Sequence, residues 1–313
     1  MKHLVLASLF AGAVALPAMA DYTIIAPANP GGGWDQTART MQQVMQEDGI
    51  SKSVQVQNVP GAGGTIGLAQ FASQNKGNPD ALIVGGYVMV GAILTNKSPV
   101  SLKDVTPIAR LTGEYEAIVV PAASPIKDIA GLIDALKASP GAVSWAGGSA
   151  GGTDHIAVGL IAKAAGVDPT KINYIAYSGG GEALAALLGN QVTAGISSLG
   201  EFEAQVKAGT LRLLATTAPA PIDGVDAPTL KQAGLDVELQ NWRMVAAGPG
   251  LSAEQKAKVT ADIDALAKSA NWQKQLADKG WMDTYLSGPE FDAQLDQDIQ
   301  ATESILRDIG LVK

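Results

Sequence analysis

The chain has 313 residues, with 30 acidic against 22 basic side chains, a formal net charge of −8 and no cysteine. An acidic, aromatic-poor chain without basic runs argues against nucleic-acid binding, and the lack of cysteine excludes disulfides, thiolate catalysis and cysteine-ligated metal sites. A small anionic ligand remains compatible with this composition, because charges more than about 8 Å away are largely screened at physiological salt.

The first twenty residues have the pattern of a cleaved signal peptide. Lys2 and His3 precede an apolar stretch at 4–16, and Ala18-Met19-Ala20 fits a small-x-small cleavage site. The apolar stretch is shorter than the roughly 20 residues that a membrane span needs. We therefore predict cleavage after Ala20 and a mature chain, long enough for two lobes, that starts at Asp21.

The mature chain opens with repeated units of strand, glycine turn and helix. A strand over 22–26 leads through a glycine-rich loop into a helix over 34–47, and a strand over 54–58 leads through a second glycine turn into a helix over 65–74. A third buried strand over 81–85 is followed by a predicted loop at 86–91. Such repeats predict a doubly wound α/β lobe with its ligand at the carboxyl ends of the strands.

Two residues of these units raise functional questions. Asp35, in the first turn of the first helix, either complements the helix dipole or orients a ligand or water, and both interpretations stay open. The second glycine turn invites comparison with a dinucleotide-binding loop. Ile66 stands where the third glycine of that motif belongs, which argues against nucleotide binding.

A second lobe is predicted from the strand that Pro121 ends. The expected helices cover 128–138, 156–165 and 182–188, and the expected strands cover 117–120, 143–146, 172–177, 191–197 and 211–216. A turn-rich surface loop follows at 219–228, then a strand over 237–246 around Trp242 and Arg243 near a second hinge. The predicted boundaries are 21–118 with 239–313 for lobe 1 and 119–238 for lobe 2.

The remainder of the chain is predicted to be helical. Ser252 with Gln255 forms a capping box. An apolar stripe at helical spacing marks a last helix and runs through Phe291, Leu295, Ile299, Ile305, Leu306 and Ile309.

The stretch from Val143 to His155, V-S-W-A-G-G-S-A-G-G-T-D-H, predicts an anion site. The first N–H groups of a helix lack partners within the helix and carry the positive end of its dipole, while glycine lets the backbone approach a ligand closely. A further glycine turn, at 178–181 in the second lobe, repeats this arrangement. A carboxylate or a phosphate is the natural occupant.

The same stretch also contains a literal G-x-S-x-G at 147–151, the pattern of a serine-hydrolase nucleophile turn. Ser149 would then need a histidine base on a separate loop. The mature chain has only His155, six residues further along, which cannot easily turn back toward Ser149. A hydrolase is therefore the alternative to a binding protein, and neither a cofactor nor a metal site is predicted.

Five segments together resemble the extracytoplasmic receptors of tripartite tricarboxylate transporters, the Bug family. They span essentially the whole mature chain and read P-A-N-P-G-G-G-W-D-Q-T-A-R (27–39), N-V-P-G-A-G-G-T-I-G (58–67), G-G-S-A-G-G-T-D-H (147–155), Y-S-G-G-G-E-A-L (177–184) and P-T-L-K-Q-A-G (228–234). The segments at 88–100 and 241–245 look closer to the tricarboxylate-type receptors, which places citrate-like ligands above amino acids or aromatic acids. Thr153-Asp154 stands where many relatives carry proline before the histidine.

The resemblance implies a type II-like, two-lobed periplasmic binding protein. In this fold, two doubly wound lobes are joined by a hinge and close on a ligand held in the cleft between them. The ligand would be a small carboxylate, delivered to an integral membrane permease. A variant of this function has the closed receptor contact a membrane sensor kinase instead of, or as well as, the permease. A monomer in the periplasm is expected, with no nucleic-acid partner.

The residues predicted to bind the ligand come from the glycine loops, from neighbouring hydroxyl groups and from the second hinge. They are Asn29, Pro30, Gly31, Gly32, Gly33, Trp34, Asp35, Gly64, Thr65, Tyr87, Val88, Ser149, Ala150, Gly151, Gly152, Thr153, His155, Tyr177, Gly180, Ser198 and Arg243. Arg243 either grips a second carboxylate or forms an ion pair at the hinge. His155 either contacts the ligand or orients its own loop.

Overall fold

The computed structural model describes residues 21–177 and 180–313. The predicted signal peptide at 1–20 and the turn residues Ser178 and Gly179 lie outside the described residues. Within the described ranges, no helix has both the length and the apolar content needed to cross a membrane.

Strands and helices alternate along most of the chain. The strands are β1 (Tyr22–Ala26), β2 (Val54–Asn58), β3 (Ala81–Gly86), β4 (Thr106–Pro121), β5 (Ser144–Gly147), β6 (Asn173–Ala176), β7 (Ala194–Ser198), β8 (Leu211–Thr216), β9 (Gln240–Ala247) and β10 (Met282–Ser287). The helices are α1 (Gly33–Glu47), α2 (Thr65–Gln74), α3 (Tyr87–Thr95), α4 (Ile129–Ala138), α5 (Thr153–Ala164), α6 (Gly180–Leu188), α7 (Leu199–Lys207), α8 (Ala253–Lys268), α9 (Ala270–Lys279) and α10 (Gly288–Asp308).

One long strand, β4, belongs to the sheets of both lobes. The strand order is β2-β1-β3-β9-β4-β7-β5-β6, with β8 and β10 also paired to β4. The pairing of β4 with β9 ends at Tyr115, and its pairing with β7 begins at the next residue, Glu116. β4 therefore crosses from the first lobe to the second at this point.

The hydrophobic core extends through both lobes. β3 is buried at every residue, as expected for a strand covered on both faces. In the second lobe, α6 and α7 cover one face of the sheet around Leu187 and Phe202, and the other face joins the main core through Trp145 and Ile156. Each lobe is thus a sheet between helices, which confirms the α/β fold predicted from the repeated units.

The last helix joins the two lobes behind the cleft. α10 packs against α3, β4 and β10 and also reaches α5. Its C-terminal end makes a 2.6 Å ion pair between Asp308 and Lys163 of α5, and Ile309 lies directly over Gly159. The C-terminal residues therefore contact the second lobe, although α10 begins beside strands of the first.

The two lobes also touch at the side of the cleft, where α3 meets the loop before α5. A Cβ atom at Gly91 would lie 1.9 Å from the carbonyl oxygen of Gly151, and a Cβ atom at Gly151 would lie 2.4 Å from Thr95. Gly151 has a φ of +75°. Glycine at both positions is what allows the two backbones to come this close.

The elements agree closely with the sequence predictions where the local pattern was strong. β1, β2, α2 and β8 have the predicted bounds, and the capping box of Ser252 and Gln255 is present. The loop predicted at 86–91 is wrong, because α3 begins at Tyr87, directly after β3. Its residues are apolar on all sides, so no helical periodicity revealed it.

Two further elements were missed by the sequence prediction. The C-terminal part was predicted to be helical throughout, but β10 interrupts it and pairs with β4. α7, between β7 and β8, was not predicted. β10 is half-exposed and short, so tertiary pairing with β4, rather than local pattern, determines it.

The contact between α3 and the α5 loop gives a stability prediction. Replacing Gly91 with alanine inserts a methyl group against the Gly151 carbonyl, and we expect a loss of about 1–3 kcal/mol in the free energy of unfolding. Thermal or urea unfolding measures it. Gly131→Ala in α4 is the matched control, because its methyl group meets only an ordinary 3.4 Å contact. An equal effect of both substitutions would contradict the close contact between the lobes.

Candidate functional site

A cavity of about 950 Å³ lies between the lobes, at the ends of the strands from which the glycine loops leave. Fifteen of the predicted site residues line it: Asn29, Pro30, Gly31, Gly32, Gly33, Trp34, Gly64, Val88, Ser149, Ala150, Gly152, Tyr177, Gly180, Ser198 and Arg243. The structure therefore brings segments that lie far apart in the sequence to one cleft. Their role in binding remains a prediction.

Among the helices whose N-cap residue is described, four begin at this cavity without a side-chain cap. The N-cap residues of α1, α2, α5 and α7 are Gly32, Gly64, Gly152 and Ser198, and none of them makes a side-chain hydrogen bond to its helix. All four line the cavity. The N–H groups in the first turns of these helices give the cleft a set of donors and a positive local field that suit an anion.

The first glycine loop is held in place by Asp35, which is buried behind it. Its carboxylate accepts hydrogen bonds from the Gly31 N–H at 2.8 Å, from Arg39 Nε at 3.0 Å and from Asn58 Nδ2 at 2.8 Å. Burial acts to raise the pKa of Asp35, but these hydrogen bonds and the Arg39 charge outweigh it and lower the pKa. Asp35 thus fixes the loop from behind rather than lining the cavity.

The other five predicted residues that do not line the cavity are packed against neighbouring protein residues. Thr65 donates to the Ala62 carbonyl, and Tyr87 packs edge-on against Trp242 with ring centroids 6.1 Å apart. Gly151 lies against Thr95, and the Thr153 hydroxyl is completely buried. His155 supports the loop before α5, as its contacts show.

His155 is engaged on both sides by its own loop and by β6. Its Nδ1 accepts a hydrogen bond from the Gly151 N–H at 3.2 Å, and its ring stacks on Tyr174 with centroids 4.1 Å apart. Burial lowers the pKa of His155 to about 4, so the ring is neutral at physiological pH. Neither contact is with Ser149, so the geometry orders a loop instead of assembling a nucleophile and its base.

Arg243, on β9, lies at the floor of the cleft between the two lobes. Its side chain is 5% exposed and forms an ion pair with Glu114 of β4, and its guanidinium carbon lies 5.4 Å from the centroid of the Trp281 ring. Among the described residues, Nη1 of Arg243 has no hydrogen-bond partner. A buried guanidinium with an unused donor, lining a cavity, is suited to grip a ligand carboxylate.

Acidic side chains surround this single guanidinium. Asp154 and Glu201 line the cavity, and Glu116 is completely buried behind it with no hydrogen-bond partner on either oxygen among the described residues. Burial raises the pKa of all three carboxyl groups, that of Glu116 well above its usual value and that of Asp154 to about 7. Neighbouring carboxylates raise these pKa values further.

Sequence reasoning missed the acidic part of the site. Asp154 lies in the segment 147–155, where the sequence shows it only as a departure from the family pattern. Glu201 belongs to the unpredicted helix α7. Asn96, Glu182 and Asn241 also line the cavity. A strand followed by S-S-L-G-E could have drawn attention to Glu201, whereas Glu116 becomes visible only from the crossing of β4. The described residues contain no group of three or more acidic or histidine side chains arranged to hold a metal ion.

The geometry around Asp35 predicts a loss of stability. We expect Asp35→Asn to lower the free energy of unfolding by about 2–4 kcal/mol, because an amide cannot accept all the bonds from Gly31, Arg39 and Asn58. Urea unfolding measures the loss. Asp134→Asn, at an exposed position of α4, should leave stability unchanged. Wild-type stability of the Asp35 variant would show that the carboxylate does not hold the loop.

The raised pKa of Asp154 predicts a pH dependence of stability. Its folded-state pKa of about 7 exceeds the ordinary value of 3.8, so its ionisation costs stability as the pH rises through that window, and the cost is constant above it. Relative to the wild type, Asp154→Asn should become more stable between pH 4 and pH 8, by at most about 4 kcal/mol. The opposite slope from His155, whose folded-state pKa is lowered, is present in both proteins and cancels.

Unfolding by urea at a series of pH values measures this difference. A difference in stability between the two proteins that does not change with pH would show that Asp154 titrates normally in the folded state.

Comparisons with known proteins bear on this cleft. Residues 37–311 match the family model "Tripartite tricarboxylate transporter family receptor". The chain is 30% identical over 211 residues to the protein BugT of Bordetella pertussis, covering 64% of each chain.

Solved structures of periplasmic binding proteins share the fold. The periplasmic binding protein BugD superposes with a TM-score of 0.83 at 21% identity, covering 93% of this chain and 98% of the other. MatC of Rhodopseudomonas palustris with bound malate has a TM-score of 0.77 at 24% identity and covers 93% and 98%. A second R. palustris protein, with adipate, has a TM-score of 0.82 at 22% identity and covers 92% and 97%.

The fold is therefore that of a two-lobed periplasmic binding protein, as the sequence predicted. The family consists of substrate-binding receptors, which are not enzymes, so the serine-hydrolase alternative for Ser149 is set aside. With a family match from residue 37 to residue 311 and a cleft built from helix N-termini, this chain belongs to the receptors of the tripartite tricarboxylate transporter family, which includes the Bug proteins.

Proposed function

We propose that this receptor captures a small polycarboxylate in the cleft between its lobes and delivers it to the permease subunits of its transporter. The proposal places a citrate-like tricarboxylate first and a dicarboxylate next. It includes secretion to the periplasm through a cleaved signal peptide, action as a monomer and the predicted lobe boundaries. In a variant of this proposal, the closed receptor also contacts a membrane sensor kinase.

This proposal rests on one observation: two kinds of hydrogen-bond donor that suit an anion lie on one cavity. The N-termini of α1 and α5 supply backbone N–H groups, and Arg243 lines the same cavity with a buried guanidinium whose Nη1 is unpaired among the described residues. One carboxylate would bind at the helix ends and a second would bind Arg243. A monocarboxylate would satisfy only one of these places, whereas a di- or tricarboxylate satisfies both.

The solved neighbours support the same ligand class. MatC binds malate and a second neighbour was solved with adipate, and both ligands are dicarboxylates. The closer likeness of residues 88–100 and 241–245 to tricarboxylate-type receptors supports citrate. The acidic floor weighs against a fully ionised trianion, because each extra ligand charge adds repulsion from Asp154 and Glu201.

A thermal-shift screen of the purified receptor tests the proposal. The panel holds citrate, isocitrate, tricarballylate, malate, succinate, tartrate, glutamate and an aromatic acid. A ligand at about 100 times its Kd adds about 2.7 kcal/mol to the stability of the folded state. We expect tricarboxylates or dicarboxylates to raise Tm by several degrees, and the absence of a shift with every acid would refute the carboxylate receptor.

Arg243 gives the sharpest prediction for this function. In Arg243→Lys the charge that pairs with Glu114 is kept but the bidentate fork is lost. Losing about 1.5–3 kcal/mol of charge-assisted bonding should weaken dicarboxylate binding by roughly 10- to 150-fold. Isothermal titration with malate or citrate measures the affinity.

Arg212→Lys is the matched control, because Arg212 bonds only backbone carbonyls of the second lobe and does not line the cavity. Unchanged affinity in Arg243→Lys, with the receptor still binding its ligand, would remove Arg243 from the site.

A further inference from the structure

The second-lobe side of the cleft presents carboxyl acceptors beside the N–H donors of α5 and α7. We call this surface the acceptor wall and define it by the carboxyl groups of Asp154 and Glu201, which line the same cavity as Arg243. Asp154 lies in the first turn of α5 and Glu201 in the first turn of α7. The wall is therefore formed by side chains of two helices whose N-termini also face the ligand.

Both carboxyl groups are held in fixed positions. Oδ2 of Asp154 accepts a 2.7 Å hydrogen bond from the Gly148 N–H, and Oε2 of Glu201 accepts one from the Ser197 hydroxyl. A Cβ atom at Gly180 would overlap the Glu201 carboxyl group, so this glycine leaves the space that the side chain occupies. A carboxylate offers about four lone-pair sites, so acceptor capacity remains in both groups.

A second, independent observation indicates that the cavity is suited to a polar ligand. Arg243 lines the same cavity, and Nη1 of its buried guanidinium lacks a partner among the described residues. The lining of the cavity thus includes a guanidinium with an unused donor and, on the second-lobe side, carboxyl acceptors. A ligand that satisfies both must carry an anionic group for Arg243 and a hydrogen-bond donor for the wall.

When Asp154 and Glu201 are ionised, they repel a ligand carboxylate from the place beside the wall. Two like charges at hydrogen-bond distance, in a site of intermediate dielectric, repel each other by more than one charge-assisted hydrogen bond gains. The ligand carboxylates therefore go to the helix ends and to Arg243. The group left facing Asp154 and Glu201 must be a hydroxyl or an ammonium group.

We propose that Asp154 and Glu201 select carboxylates that bear a hydroxyl or ammonium substituent and reject the otherwise identical acids that lack one. The selectivity follows from unequal costs, since an acid without a donor leaves the remaining acceptor capacity of two desolvated carboxyl groups unused when the cleft closes around it. This inference rests on the proposed function, because it describes which member of the carboxylate class is taken. Hydroxyl and ammonium groups share the chemistry of donation to a carboxylate, and the test separates them.

Matched ligand pairs test the proposal in the wild-type receptor. The pairs are citrate with tricarballylate, malate with succinate, and aspartate with succinate, whose members differ only in the substituent. Titration calorimetry at pH 8 compares them above the pKa of about 7 of Asp154, where that acceptor is ionised. We expect the substituted acid of at least one pair to bind about 10- to 100-fold more tightly.

The relative affinities identify the donor. Tighter binding of citrate and malate assigns a hydroxyl, and tighter binding of aspartate assigns an ammonium group. Equal affinities within all three pairs overturn the proposal while leaving the carboxylate receptor intact. If none of these acids binds, the proposed function itself fails.

Variants of the acceptor wall should change the affinity for the substituted acid and the affinity for its unsubstituted partner differently. In Glu201→Ala and Asp154→Asn, affinity for the substituted acid should fall about tenfold, while affinity for its unsubstituted partner should stay the same or rise, because a repelling charge is gone. Glu254→Gln, an exposed site on α8, is the control. A merely structural role would weaken both acids of a pair equally, and that result would overturn the proposal even for variants of lower stability.

Discussion

The ion pair between Arg243 and Glu114 lies where the two lobes are joined, and the chemistry of the cleft depends on it. β4 and β9 are antiparallel neighbours, and Arg243 pairs in register with Thr112, so the guanidinium points at the residues where β4 leaves the first lobe. At an effective dielectric of about 20, a pair of unit charges 4 Å apart gains about 4 kcal/mol, which offsets part of the cost of burying the guanidinium. Without the Arg243 guanidinium, the charged side chains at the floor of the cleft would all be acidic.

Gly33 connects this ion pair to the anion site of the first lobe. A Cβ atom there would lie 2.5 Å from Nη2 of Arg243, so no side chain fits between the start of α1 and the guanidinium. The glycine therefore has a packing reason as well as the conformational reason assumed from the sequence. It lets the start of α1 and the Arg243 guanidinium lie at adjacent positions in the lining of the same cavity.

Local sequence patterns predicted those parts of the site that depend only on residues adjacent in the sequence. Alternating strands and glycine turns located β1, β2 and the starts of α1 and α5 within about three residues, since the sequence signals for these elements are contiguous. Most of the residues predicted from these patterns line one cavity in the structure. Arg243 was selected, but the sequence left its ion pair and its ligand role as alternatives. The structure places the ion pair and an unused donor on the same guanidinium.

The acidic floor was beyond the reach of sequence patterns because it is assembled by tertiary crossing. Glu114 and Glu116 are two residues apart on β4, so their side chains project from the same face of the strand, just where its pairing partner changes from β9 to β7. Glu201 comes to this place from α7, and Asp154 from α5. No spacing in the sequence relates these four acids, and a composition of 30 acids does not reveal which ones converge. Such a cluster costs folding stability through burial and mutual repulsion, as its raised pKa values show. A receptor that needed only to attract anions would do better without these acids, so the cost is understandable if the acids bind a part of the ligand that is not itself an anion.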